Sequence, residues 1–190
     1  FRRNSHIINE SVGGYTEAFE KYEREYQKGV KNFESITKFK RFKKILPNAD
    51  ITYVGDYHTL AQAQRGFLRL LRSLDDTKET IIALEFVQGR YQKALDEYMA
   101  GRLDDESFLA AIEHKKHWVF GGWNQFRDIL SLAKERSFRV IGIDSMGRGL
   151  AGSSLHARDL YAARRINKAR KESPEARVLV LIGELHVAPK

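Results

Sequence analysis

Residues 177–186 read RVLVLIGELH, and this stretch decides the class of fold. Its apolar part is continuous rather than alternating, the pattern of a strand covered on both faces by helices, as in a parallel sheet. A glycine, an acid and a histidine follow at once. Three earlier runs have the same character: ITYV at 51–54, TIIALEF at 80–86 and RVIGID at 139–144. Between them, residues 60–74, 91–99, 105–113, 123–136 and 157–172 place apolar side chains at helical spacing. Strands alternating with crossovers of this length imply a parallel sheet with right-handed connections. The expected fold is α/β in three layers, a mostly parallel central sheet with flanking helices. The long crossover between the second and third strands is placed to cap one end of that sheet, and HKKHWVFGGW at 114–123 reads as a loop within it.

Composition narrows the chemistry. With 190 residues, 42% of them hydrophobic, the chain can bury one sizeable core. Cysteine is absent, which excludes a disulfide framework, a thiolate metal site and a cysteine nucleophile. No apolar run approaches the ~18 residues of a membrane span. A lipid anchor is not expected without cysteine, so a soluble protein is the expectation; the compartment is not read from the sequence, and the cytoplasm is favoured only because no signal or lipidation cysteine is visible. Opening on Phe1 and stopping at Lys190 soon after an apolar strand, the sequence reads as a piece of a longer chain.

The net charge is +8, and part of the excess lies in TKFKRFKK at 37–44, where Lys38, Lys40, Arg41, Lys43 and Lys44 interleave with Phe39 and Phe42. Such a patch suits nucleic acid or an anionic membrane surface. A solvated face with both phenylalanines packed inward accounts for it as well. Upstream, Tyr15, Phe19, Tyr22, Tyr26, Val30 and Phe33 follow at steps of three and four, an amphipathic helix with an aromatic stripe. Residues 1–48 are therefore expected as an N-terminal helical arm, and 49–190 as the α/β domain.

In an open parallel sheet every strand points the same way, so residues that follow the strands gather at one edge, where ligands bind. GDYH at 55–58 repeats the order of GELH at 183–186: glycine, acid, any residue, histidine. The strand ends thus deliver Asp56 and His58, Glu85, Asp144, and Glu184 and His186. A carboxylate inside ALEF is costly to bury without a partner. Two imidazoles with carboxylates form the usual nitrogen and oxygen ligand set for zinc, manganese or iron. The same groups suit acid–base work, with one carboxylate as base or as the partner that fixes an imidazole. His114 and His117 read as surface histidines, His6 and His156 stand alone, and Ser145, Ser153 and Ser154 lack a nucleophile elbow. GRGLAG at 147–152 lacks the Lys and Ser/Thr of a phosphate loop.

Taken together, GDYH at 55–58, ALEF at 83–86, the Trp123 segment leading to VIGID, ARDLYAARRI with Arg158 and Asp159, and GELH at 183–186 resemble the ChaN family. This is the haem-binding-uptake branch of the Tiki superfamily, related to the erythromycin esterases. The resemblance runs from residue 51 to 190. It implies an α/β sheet fold and, for ChaN-like bacterial members, haem binding and iron acquisition. For Tiki proteins it implies metal-dependent proteolysis, and for the esterases lactone cleavage.

Carried onto matching positions, the resemblance implies His58, Glu85 and His186 as active-site residues and, if a metal binds, its ligands. Asp56, Tyr57, Glu184 and Arg158 are the expected cofactor contacts, with Tyr57 or Tyr91 in the place of a haem-ligating tyrosine. Arg158 is also a candidate clamp for an oxyanion or a substrate carboxylate. The cofactor expected is haem or a divalent ion, iron, manganese or zinc. Three functions follow: haem or iron binding, metal-dependent hydrolysis of a peptide or ester, and a basic binding module. The partners admitted are a small-molecule or peptide ligand and a second copy in a homodimer.

Overall fold

A computed structural model describes residues 37–58, 61–118, 122–145 and 155–187. The aromatic stripe at 15–33, His6, the loop at 147–152, Ser153 and Ser154 lie outside the described residues. Four strands form one parallel sheet: β1 (Ile51–Asp56), β2 (Thr80–Gln88), β3 (Arg139–Asp144) and β4 (Arg177–Gly183). Their order is β1-β4-β2-β3. The strands carrying the two Gly-acid-x-His motifs are therefore direct neighbours, with Asp56 in register with Gly183.

Alternation along the central strands builds two cores. Ile82, Leu84, Leu179 and Leu181 face one layer, made by α2 (Ala61–Arg72), α3 (Gln92–Met99), α4 (Asp105–Ala111) and α6 (Trp123–Glu135). Ile81, Ala83, Val178, Val180 and Ile182 face the other, covered by Ala162, Ile166 and Ala169 of α7 (Leu155–Glu172). The architecture is the expected three-layer α/β fold.

Ahead of the sheet, α1 (Phe39–Ile45) leads into a turn of 3-10 helix at Leu46–Asn48. Leu46 is buried in the first core and Phe42 packs on it, while Phe39 stays exposed. Only one of the two phenylalanines thus turns inward. β1 also departs from expectation: as an edge strand it is only half covered, and Tyr53 is exposed. HKKHWVFGGW contains a helical turn, α5 (His114–His117), where a loop was expected. His114 and His117 are half-buried rather than surface side chains, and Trp118 is buried against Phe86 and Phe126.

The outer edge of β3 is closed by side chains. Gln92 donates from Nε2 to the Val140 carbonyl at 3.0 Å and accepts the Gly142 N–H on Oε1 at 3.0 Å. Arg165 of α7 donates to the Gly142 carbonyl at 3.1 Å and to Gln92 Oε1 at 2.6 Å. A carboxamide here does what another strand would do for an open edge. Gln92→Leu is expected to lower stability by about 1–3 kcal/mol, because edge groups lose their partners. Urea denaturation measures it, and an unchanged midpoint would show that water replaces the amide without loss.

Candidate functional site

Alternation sends Glu85 to the face of Ile81 and Ala83, the side of α7, at the C-terminal end of β2. It is 5% exposed and has four polar neighbours. Its Oε2 accepts the backbone N–H of Gly183 and lies 3.7 Å from His58 Nε2. Its Oε1 accepts from Arg158 and lies 3.1 Å from His186 Nε2. Gly183 suits this crowding: a Cβ there would stand 3.1 Å from both Glu85 Oε2 and His58 Nε2, so these side chains would have to give by a few tenths of an ångström.

Each imidazole is held from behind by its own aspartate. His58 Nδ1 lies 3.0 Å from Asp56 Oδ2, and Asp56 is fixed by Gln64 of α2 at 2.5 Å. His186 stands in α8 (Glu184–Val187), and its Nδ1 lies 2.5 Å from Asp159 Oδ1. With a carboxylate at each nitrogen, His186 satisfies both only as the imidazolium. Arg158 bridges Glu85 to Asp144, the latter at 2.9 Å from its Nε. The Trp118 ring packs against His58 in a T-shaped contact, with centroids 4.6 Å apart.

These contacts move the titrations. Burial alone would raise Glu85, but the His186 hydrogen bond and the charges of His58, Arg158 and His186 hold it down, to about 2. Burial alone would lower His58, but the Asp56 hydrogen bond and the charges of Glu85, Asp56 and Glu184 carry it above the ordinary histidine value. His186 is likewise raised: Glu85 and Asp159 outweigh burial and Arg158. Glu184 goes the other way from Glu85. Burial, reinforced by the nearby Asp56 and Glu85 charges, pushes its carboxyl up to about 7.

Strand-end reasoning brought Asp56, His58, Glu85, Asp144, Glu184 and His186 to one edge, the family resemblance added Arg158, and the structure places these side chains near one another. Tyr57 is half-buried beside them. Tyr91 is engaged elsewhere, donating its hydroxyl to Glu113, and its ionisation is pushed up by burial and that carboxylate. Asp159, Gln64 and Trp118 are the contributors that strand-end reasoning did not assign. Arg158 is tied to two carboxylates, so it serves the cluster before any ligand.

The donors have the chemistry of a nitrogen and oxygen metal site, but their present arrangement does not fit a cation. Among the described residues no group of three or more His, Asp or Glu is disposed to hold one. The Arg158 guanidinium already occupies the Glu85 oxygen that faces His186. Iron ligation by either imidazole through Nε2 would likewise require it to leave Glu85.

The family sequence model for haem-binding uptake, Tiki superfamily, ChaN, matches residues 42–149, more than half of the chain. The chain belongs to this family. No curated protein sequence matches it. Solved structures share the ChaN-like fold at low identity. The C-terminal region of Pasteurella multocida toxin, described as having a thiol-protease-like catalytic triad, is 16% identical at TM-score 0.55, over 78% of this chain and 21% of that one. RRSP, a MARTX toxin effector domain from Vibrio vulnificus, is 17% identical at TM-score 0.56, over 90% of this chain and 34% of that one. The chain thus spans only a fifth to a third of these proteins, and the likeness is one of fold. A thiol like that of the first has no counterpart here, since the ChaN-like chain has no cysteine. Among the described residues no helix is long and apolar enough to cross a membrane.

Proposed function

We propose that the strand-end cluster is a hydrolytic site that cleaves an amide or ester by general acid–base chemistry. The observation that carries this reading is the symmetric arrangement of two imidazoles, each backed by its own aspartate, around the single carboxylate of Glu85. Glu85, held near 2, is too weak a base to take a proton from water at neutral pH. Its fixed charge instead keeps both histidines protonated to higher pH. Glu184, titrating near 7, is matched to the task of base. Water gives its proton to the Glu184 carboxylate as its oxygen attacks the carbonyl carbon. The imidazolium of His58 stabilises the oxyanion and then passes a proton to the leaving nitrogen or oxygen as the bond breaks.

The test is turnover of p-nitrophenyl acetate and of an unstructured peptide, read by absorbance and mass spectrometry, with chelator present. Activity is expected to survive chelation and to fall by roughly 10²–10⁴ in His58→Ala. Absence of turnover on a broad panel of esters and peptides would overturn the reading.

A second reading rests on the family, whose description is haem-binding uptake. Tyr57, half-buried next to His58, is the residue to test as an iron ligand. A Soret band that shifts on titration of haem, and is lost in Tyr57→Phe, supports it. An unchanged spectrum at stoichiometric haem removes it.

A further inference from the structure

Gln88 ends β2, three residues after Glu85. It is 4% exposed, and neither its Oε1 nor its Nε2 has a hydrogen-bond partner among the described residues. Its neighbour across the sheet is Asp144, the carboxylate that holds Arg158 against Glu85. That alignment is built. The pairing of β2 with β3 slips between Leu84 and Gln88, and the slip needs Gly142, where a Cβ would stand 2.7 Å from the Val87 carbonyl oxygen. The fold thus uses a bulge and a glycine to bring the residue with the unsatisfied amide into register with Asp144, the carboxylate partner of Arg158.

Burying a carboxamide without partners is costly, and a group kept at that cost calls for a ligand that completes it. Gln88 offers an acceptor and a donor side by side. A secondary amide answers both, whereas an ester supplies only the acceptor. We infer that Gln88 reads a peptide group in the ligand, its Oε1 accepting the ligand N–H and its Nε2 donating to the ligand carbonyl. This rests on the hydrolytic reading and adds to it a preference for peptides over esters. Both amide atoms are closed to solvent, so the ligand enters with a local opening of the strand end.

The experiment has two arms. In the first, N-methylacetamide and its isosteric ester, methyl acetate, are titrated into the protein while the Gln88 side-chain amide signals are followed by NMR. Saturable shifts with the amide alone are expected. No shift, or equal shifts with both probes, overturns the inference and shows a hydration site only. In the second, kcat/KM is compared on a matched peptide and ester in wild type and Gln88→Leu, with Gln88→Met as the second variant if leucine prevents folding. The amide-to-ester ratio is expected to fall by about 10²-fold, since a site built around a hydrogen bond discriminates strongly. An unchanged ratio overturns the role of Gln88 and leaves hydrolysis standing. If the wild type cleaves neither substrate, the hydrolytic reading fails and the probe titration still decides Gln88.

Discussion

Glu85→Gln will cost the folded protein about 3–5 kcal/mol near neutral pH and reduce turnover by roughly 10²-fold or more. Glutamine keeps the volume but removes the charge that His58, His186 and Arg158 all face. Arg158 retains Asp144, and each histidine retains its aspartate, so the fold should persist while the centre of the cluster is left with uncompensated positive charge. The pH dependence follows from the direction of the shift. A carboxyl held below its unfolded value of 4.5 contributes stability that is present above that pH and is lost as pH falls through its folded value, about 2. The stabilities of wild type and variant should therefore converge between pH 4.5 and about 2. The histidines report the same event from the other side. Without Glu85 their titrations should drop toward the ordinary imidazole value, because its charge and hydrogen bonds are among the causes that raise them. Urea melts across pH and imidazole NMR titrations measure both effects. Equal stability at pH 7 would mean that Arg158 and the histidines find other partners at no cost.

The strands were legible because their signal is local. Continuous apolar runs predicted all four, with 139–144 and 177–183 matching to the residue and the first two extended by two residues each. The sheet order was not legible, since it depends on which way each crossover packs, and the adjacency of β1 and β4 is what brings His58 and His186 onto one carboxylate. For the site, residues directly after strands were found because a parallel sheet delivers them to one edge. Those from helices were harder to find. Asp159 lies in the first turns of α7, one residue after Arg158, and nothing in its spacing distinguishes it from a solvated acid. Gln64 did carry a signal. It lies three, four and seven residues before Phe67, Leu68 and Leu71, on the apolar face of α2, where an uncharged polar residue needs a partner. Trp118 was hidden by its setting among lysines, glycines and histidines, which reads as loop whatever the indole packs against. Gln88 falls at the end of a run that is apolar apart from Thr80 and Glu85, and only the bulge shows why an amide stands there.

Replacing Glu184 by glutamine separates stability from chemistry in the opposite sense to Glu85. A carboxyl raised from 4.5 to about 7 favours the folded state while it is protonated, and that contribution is lost as pH rises through its folded value. Above pH 7 the wild type holds a charged, half-buried carboxylate near Asp56 and Glu85, which a backbone hydrogen bond and the His58 charge offset only in part. Glutamine removes that cost, so Glu184→Gln should be more stable than wild type at pH 8 by about 1–2 kcal/mol, allowing for solvent screening at a partly exposed group. At pH 4 the difference should vanish, because the wild-type carboxyl is then neutral. Turnover should move the other way, falling by about 10²–10⁴ on the plateau above pH 7, with loss of the limb that rises near pH 7 in the wild-type profile. A purely structural role for Glu184 would give the stability change with an intact pH limb. A base of another identity would give the intact limb with little loss of rate. Stability gained where activity is lost, on the same residue and over the same pH range, is the signature of a carboxylate kept in an unfavourable setting because the reaction needs its proton affinity.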